Sequence, residues 1–189
     1  MVSLKWSVRR FCAALASAAP TPGGGSAAAL AGALGVALGI KVCRLLSSRP
    51  QLSSQNRAEI KSALALFKRL GGRLEHLIEK DARAYLQFRR AMRTGHVTSR
   101  DLARVTQPPV EICEATARAI KIMERLVPVA QPGLGSDMKG GCSLLQAAFQ
   151  AALLTAQINL RMRPISKSDP RLRALRKRLV RSAEEMRAK

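Results

Sequence analysis

Apolar side chains recur along this chain every three or four residues and do not alternate singly, so the pattern predicts helices and no strands. A first helix over about residues 4–18 puts Leu4, Val8, Phe11 and Leu15 on one side and Arg9 and Arg10 on the other, and stops before Pro20 and Pro22. A second opens with Ser26 as N-cap and runs to about Leu46. A third covers about 54–70 and ends at Gly71-Gly72, and a fourth runs from Arg73 to Arg93 before Gly95. Thr98-Ser99-Arg100-Asp101 reads as a capping box opening a short helix. Pro108-Pro109 starts a longer one reaching about Val127. After the loop "QPGLGSD" a helix extends over about 137–162, ended by Pro164, with Ser136-Asp137 at its start in the manner of an N-cap. Asp169-Pro170 opens a final helix whose Leu172, Leu175, Leu179 and Met186 share one face. The expected fold is all-α, a multi-helical bundle of about seven to eight helices in one domain over 1–189.

One position breaks the pattern. In the fourth helix the apolar stripe runs Leu74, Ile78, then Tyr85, Phe88, Met92, and the member missing between Ile78 and Tyr85 is residue 81, an aspartate. A carboxylate on a core stripe must be ion-paired, held neutral by a raised pKa, or placed at a cavity. The stripe alone leaves a buried ion pair with one of the many arginines as an equal alternative. His76 and His96 lie off any such stripe and read as solvated.

Pro22-Gly23-Gly24-Gly25-Ser26 leads straight into the second helix. Unpaired amides and the positive end of a helix dipole therefore face a stretch with no side chains, which suits a polar or anionic ligand edge. No strand precedes it and neither GxxxxGK[ST] nor GxGxxG is present, which argues against a nucleotide loop. The small residues that follow, from Ala27 to Gly35, are equally those of a helix in close contact with another, so packing competes with ligand binding as their explanation.

Composition, the N-terminus and the charge narrow the picture further. Apolar residues make up 47% and aromatics 3%, a mix that favours helices. Cys12, Cys43, Cys113 and Cys142 are scattered without a CxxC pair and read as reduced helix-core thiols of a cytoplasmic protein, with no metal set. The N-terminal residues imitate a secretion signal, but the spacing of Leu4, Val8, Phe11 and Leu15 fits an amphipathic helix better. The apolar run from Ser26 to Ile40 falls short of the roughly 20 residues that span a bilayer, so no membrane role is expected. The formal charge of +21 allows a nucleic-acid partner, yet stacking aromatics are scarce and no reading motif is present, leaving non-specific contact only.

Four segments in this order, "FCAALASAAPTPGGGSAAALAGALGVAL", "LIEKDARAY", "GSD" and "AAFQAALLTAQINL", resemble the cyclodeaminase/cyclohydrolase family. That family comprises the C-terminal domain of formimidoyltransferase-cyclodeaminase and the stand-alone methenyltetrahydrofolate cyclohydrolases. The resemblance implies an all-helical homodimer acting on the one-carbon unit of tetrahydrofolate, with no cofactor beyond that carrier. It implies catalytic roles for Asp81 and Asp137, and substrate contacts from Pro22, Gly23, Gly24, Gly25, Ser26, Ser136 and Asn159. Lys41 and Arg44 are added on charge, for an anionic glutamyl tail. Where the family carries asparagines, this chain has Gln131 and Thr155, and "RLLSSRPQ" replaces a threonine, glycine and basic pair. Those departures keep open a silent relative serving as scaffold or regulatory subunit, beside the basic nucleic-acid-binding helical protein.

Overall fold

Six α-helices occupy the described residues of the computed structural model, which are 2–130, 132–162 and 169–187. They are α1 (Val8–Leu15), α2 (Gly24–Ser47), α3 (Ser54–Arg93), α4 (Ser99–Leu126), α5 (Gly135–Arg161) and α6 (Pro170–Arg187). Single 3₁₀ turns, Val127–Val129 and Pro132–Leu134, join α4 to α5. The expected all-helical bundle is present, with six helices among these residues rather than seven or eight, because two expected breaks do not occur.

Helix α3 runs for 40 residues straight through Gly71-Gly72. Two glycines cost a helix about 2 kcal/mol against alanine, but the stripes on either side of them are buried together, from Ile60, Phe67 and Leu70 to Leu74 and Ile78. Gly71 lies against α2, where a Cβ would come 3.3 Å from Val36. Helix α4 likewise continues through Pro108-Pro109, both of them buried, so Pro109 does not open a helix. The capping box expected at Thr98 is formed, with Thr98 and Asp101 each bonding the other's backbone N–H. Asp169 accepts from the Arg171 N–H at 2.8 Å at the start of α6. Gln131 and Pro164 lie outside the described residues.

Helices α2, α3, α4 and α5 form a ring in which each packs on the next, and α6 covers the outer side of α4. There Leu172, Leu175 and Leu179 are buried. Arg178 clamps Glu114 with two bonds of 2.7 and 2.8 Å, and Lys121 meets Glu185 at 3.0 Å. Helix α2 fits into the ring because it is nearly bare. A Cβ on Gly35 would stand 2.7 Å from Leu145 of α5, and one on Gly39 would stand 2.8 Å from the Phe67 ring of α3. The packing explanation of the small-residue helix therefore holds along most of its length.

Helix α1 is shorter than expected. Only Phe11 of its apolar side is buried, while Leu4, Val8 and Leu15 are exposed. Arg10 instead lies over the Trp6 ring, 4.6 Å from its centroid. Cys43 and Cys113 are buried, and desolvation pushes their thiols up to about 11 and about 12. Cys12 is exposed rather than in the core. His76 and His96 are exposed, as expected. By length and composition, α2 and α5 are both long and apolar enough to cross a membrane, longer than the apolar run suggested. Both pack against each other within the ring.

Candidate functional site

A cavity of about 260 Å³ opens at the N-terminus of α2, walled by α3, α4 and α5. Its floor is the main chain of Gly23, Gly24 and Gly25, and its walls include Asp81, Tyr85, Thr155 and Asn159. The Thr21–Pro22 peptide leading into it is cis. Helix α2 has Gly23 as N-cap and carries no side-chain cap. The amides of Gly24 and Gly25 thus belong to the first turn, which has no intrahelical acceptor, at the positive end of the dipole.

Asp81 lies on the buried stripe that its spacing indicated, 8% exposed. Its carboxylate rests against the Cα of Gly25: a Cβ there would overlap the carboxylate, standing 2.7 Å from Oδ2 and closer still to Oδ1. Only glycine allows α2 and α3 to meet here. Gly23 and Gly24 answer to no such constraint, since a Cβ would find open space at the first and ordinary contact with Thr155, at 3.7 Å, at the second. Their bareness leaves the amides open to the cavity.

Ser26 is fully buried in the first turn of α2, three residues after the N-cap Gly23. Its hydroxyl lies 2.9 Å from Asp81 Oδ2 and 3.0 Å from the Ile78 carbonyl. It sits behind the carboxylate, not in the cavity wall, so it does not offer the substrate contact expected of it. Burial raises the Asp81 pKa, against the lowering effect of hydrogen bonds from the Ser26 hydroxyl and amide. The alternative of a buried ion pair fails: among the described residues no cation pairs with Asp81. Glu111 shows what such a pair does. It too is 8% exposed, and burial works to raise its pKa as well. Lys80 at 2.7 Å, Gln107 at 2.8 Å and Arg73 at 3.6 Å outweigh that effect and hold it below the usual range.

Asn159 donates its side-chain N–H to the Val105 carbonyl at 3.2 Å. In an unbroken helix that carbonyl would accept from residue 109, but proline has no N–H to give. Asn159 therefore fills a backbone vacancy in α4 while lining the cavity. Thr155, one turn earlier on α5, donates to its own helix at Ala151.

The remaining expected residues gather elsewhere. Lys41 and Asp137 form a 2.8 Å ion pair towards the other end of α2, about 24 Å from Gly25 at 1.5 Å per residue. Arg44 and Ser136 are exposed, and Pro22 is buried outside the cavity wall. Helix α5 takes Leu134 as N-cap, so Ser136-Asp137 lies within its first turn instead of capping it. The wall residues missed by the sequence reading include Thr21, Tyr85 and Val105. Tyr85 stands one turn beyond Asp81 on the stripe expected to face the core, yet it is 41% exposed.

Residues 7–168 match the family model described as formiminotransferase-cyclodeaminase. A methenyltetrahydrofolate cyclohydrolase of Methylorubrum extorquens is 27% identical over 165 residues, which cover 81% of this chain and 78% of that protein. The crystal structure of formiminotetrahydrofolate cyclodeaminase from Thermotoga maritima superposes with a TM-score of 0.86, covering 97% of this chain and 91% of that one. At 22% identity this establishes the likeness of fold.

Two outcomes are expected. Asn159→Ala destabilises the chain by about 1–2 kcal/mol in denaturant titration, because the Val105 carbonyl loses its donor. In a Pro109→Ala background, where residue 109 regains an N–H, that cost falls below about 0.5 kcal/mol; an equal cost in both backgrounds would exclude the bond as its cause. Asp81→Asn stabilises the fold at neutral pH. Above the unfolded carboxyl pKa of about 3.9 the native state holds the extra proton, so stability falls as pH rises towards the raised native value. The advantage of the Asn variant disappears below about pH 4, which thermal melts across a pH series would check.

Proposed function

We propose that this chain, which belongs to the formiminotransferase-cyclodeaminase family, is a folate one-carbon enzyme acting on the amidine-type carbon of 5-formimino- or 5,10-methenyl-tetrahydrofolate. The observation that supports this best is a buried carboxylate without a countercharge among the described residues, set in a cavity floored by bare main chain. The methenyl bridge is a delocalised cation. Asp81 in its ionised form supplies the missing opposite charge, in surroundings where the attraction is little screened.

The same group serves proton transfer. When water adds to the methenyl carbon, the ionised carboxylate takes the proton that the water must lose. In ring closure from the formimino compound, N10 attacks the carbon and its proton passes to the formimino nitrogen, which takes a second proton from the neutral acid and leaves as ammonia. A raised pKa suits the acid role, because the carboxyl keeps its proton to higher pH than a free aspartate does. The open amides of Gly24 and Gly25 would hold a polar edge of the ligand, with Asn159, Thr155 and Tyr85 as the walls.

The second cluster enters this reading through a homodimer. Leu34 and Leu45 on α2, with Leu154 and Ile158 on α5, are exposed at 51%, 42%, 59% and 62%. Leu34, Lys41 and Leu45 fall on one side of α2 at helical spacing. An antiparallel two-fold pairing centred on Leu34 would bring the partner's Lys41 and Arg44 level with Gly25, beside the cavity. Asp137 would follow as the fixed partner of Lys41, and the two cations would face an anionic glutamyl tail.

Asp81→Asn lowers turnover by about 100-fold or more if this carboxyl is the acid–base group. Ammonia release from 5-formimino-tetrahydrofolate and loss of methenyl absorbance from 5,10-methenyl-tetrahydrofolate, followed separately, identify the reaction. A near-native rate in the variant, or inertness of the wild-type chain towards both, removes the assignment. Light scattering at assay concentrations should give twice 20.4 kDa; an active monomer would exclude the shared site.

A further inference from the structure

We propose that Ser26 is a positioning residue whose hydroxyl follows the proton of Asp81, donating to the carboxylate when it is ionised and turning to the Ile78 carbonyl when it is protonated. The Ser26 oxygen lies within reach of both acceptors, at 2.9 Å and 3.0 Å, in a fully buried setting. A hydroxyl has one hydrogen and two lone pairs, so it serves one acceptor at a time and can also accept. With Asp81 ionised, the hydrogen points at Oδ2. With Oδ2 protonated, the carboxyl donates to the Ser26 oxygen, and the displaced hydrogen has a second acceptor waiting at Ile78. With the proton on Oδ1, Oδ2 remains an acceptor and the hydroxyl need not move. No state leaves a buried polar atom unpaired, which is the costly outcome.

A main-chain amide has no such freedom. The Ser26 N–H, which also hydrogen-bonds Asp81, is a fixed donor and favours only the charged form. The residue thus combines one rigid donor with one that exchanges partners. Among the described residues nothing else around the carboxyl does this. Helix α2 presents Gly25 and Ser26, α4 presents Val105, and α5 presents Thr155 and Asn159. Tyr85 of α3 is the one other titratable side chain in the cavity wall among the described residues, and no lysine, arginine or histidine is in that wall. A group that gives up and regains a proton in each turnover needs a neighbour that favours neither state strongly. That use rests on the acid–base role proposed above; the exchange of hydrogen bonds does not.

The test follows the Asp81 carboxyl stretch by infrared spectroscopy across a pH series in the unliganded full chain, with Asp81→Asn as blank. Ser26→Ala should raise the midpoint by about one pH unit, the difference between losing a bond to the charged form and losing a weaker one to the neutral form. The band of the protonated carboxyl should shift as well, because it has lost its acceptor. Ser26→Cys, a weaker donor and acceptor, should fall between, and it carries the test if the alanine variant fails to fold. The pH profile of kcat should move with the midpoint. An unmoved midpoint in both variants overturns the proposal, even with lowered thermal stability, as does a rise of about two units with an unshifted band, the mark of a one-way donor. Should the titration shift as described in a chain inert towards both folates, the functional reading fails and this one stands. Turnover together with an unmoved titration gives the reverse.

Discussion

The site depends on one unfavourable contact that the fold maintains: a carboxylate pressed against the first turn of α2 with no cation among the described residues to neutralise it. The chain has 33 lysines and arginines. None of the described ones pairs with Asp81, whereas Lys80 and Arg73 pair with Glu111. The two residues expose the same small fraction of surface, yet their pKa values are driven in opposite directions. Asp81 lies deeper, and Glu111 has the countercharge that Asp81 lacks among the described residues. Glu111 ties α3 to α4 and has spent its charge in doing so. Asp81 retains its charge, or its proton, for something that enters the cavity.

Keeping that contact falls to residues that have almost no side chain. Gly25 admits the carboxylate to the α2 backbone, and further along Gly35 and Gly39 admit Leu145 and the Phe67 ring. Packing and ligand site, which looked like competing explanations of the same small-residue stretch, act in sequence along one helix. Close approach at Gly35 and Gly39 seats α2 deeply among its neighbours, and deep seating carries the bare first turn to the carboxylate. Larger residues in the middle of α2 would act on the cavity from three or more turns away.

Periodicity made Asp81 legible, because Leu74, Ile78, Tyr85 and Phe88 define where residue 81 must point whatever the fold around it. The amide floor was legible for a similar reason, since three consecutive glycines before a helix leave few alternatives. What stayed hidden depended on contacts between distant segments. Gly71-Gly72 and Pro108-Pro109 carry strong local signals for helix ends, and tertiary burial overrode them. Ser26 has the composition of an N-cap, and only the arrival of α3 gives its hydroxyl other partners. Asn159 stood out through the family resemblance, yet its bond to Val105 follows from a proline fifty residues away, which no local pattern reveals.

Lys41 and Asp137 mark a different limit. Charge and motif selected both, and the chain brings them to each other, but a helix length from the cavity. An ion pair exposed on one side contributes little to stability, so its place on the same side of α2 as the uncovered Leu34 and Leu45 is better explained by what it faces than by what it holds together. In a single chain no described cation shares the cavity wall with Asp81. A cationic ligand centre would supply there the attraction that the protein withholds, and binding would recover part of what burial of the carboxyl costs the empty fold. A neutral ligand of the same shape would recover none of it. On the proposed reading, selectivity for a positively polarised carbon would come from a charge left uncompensated, not from added contacts.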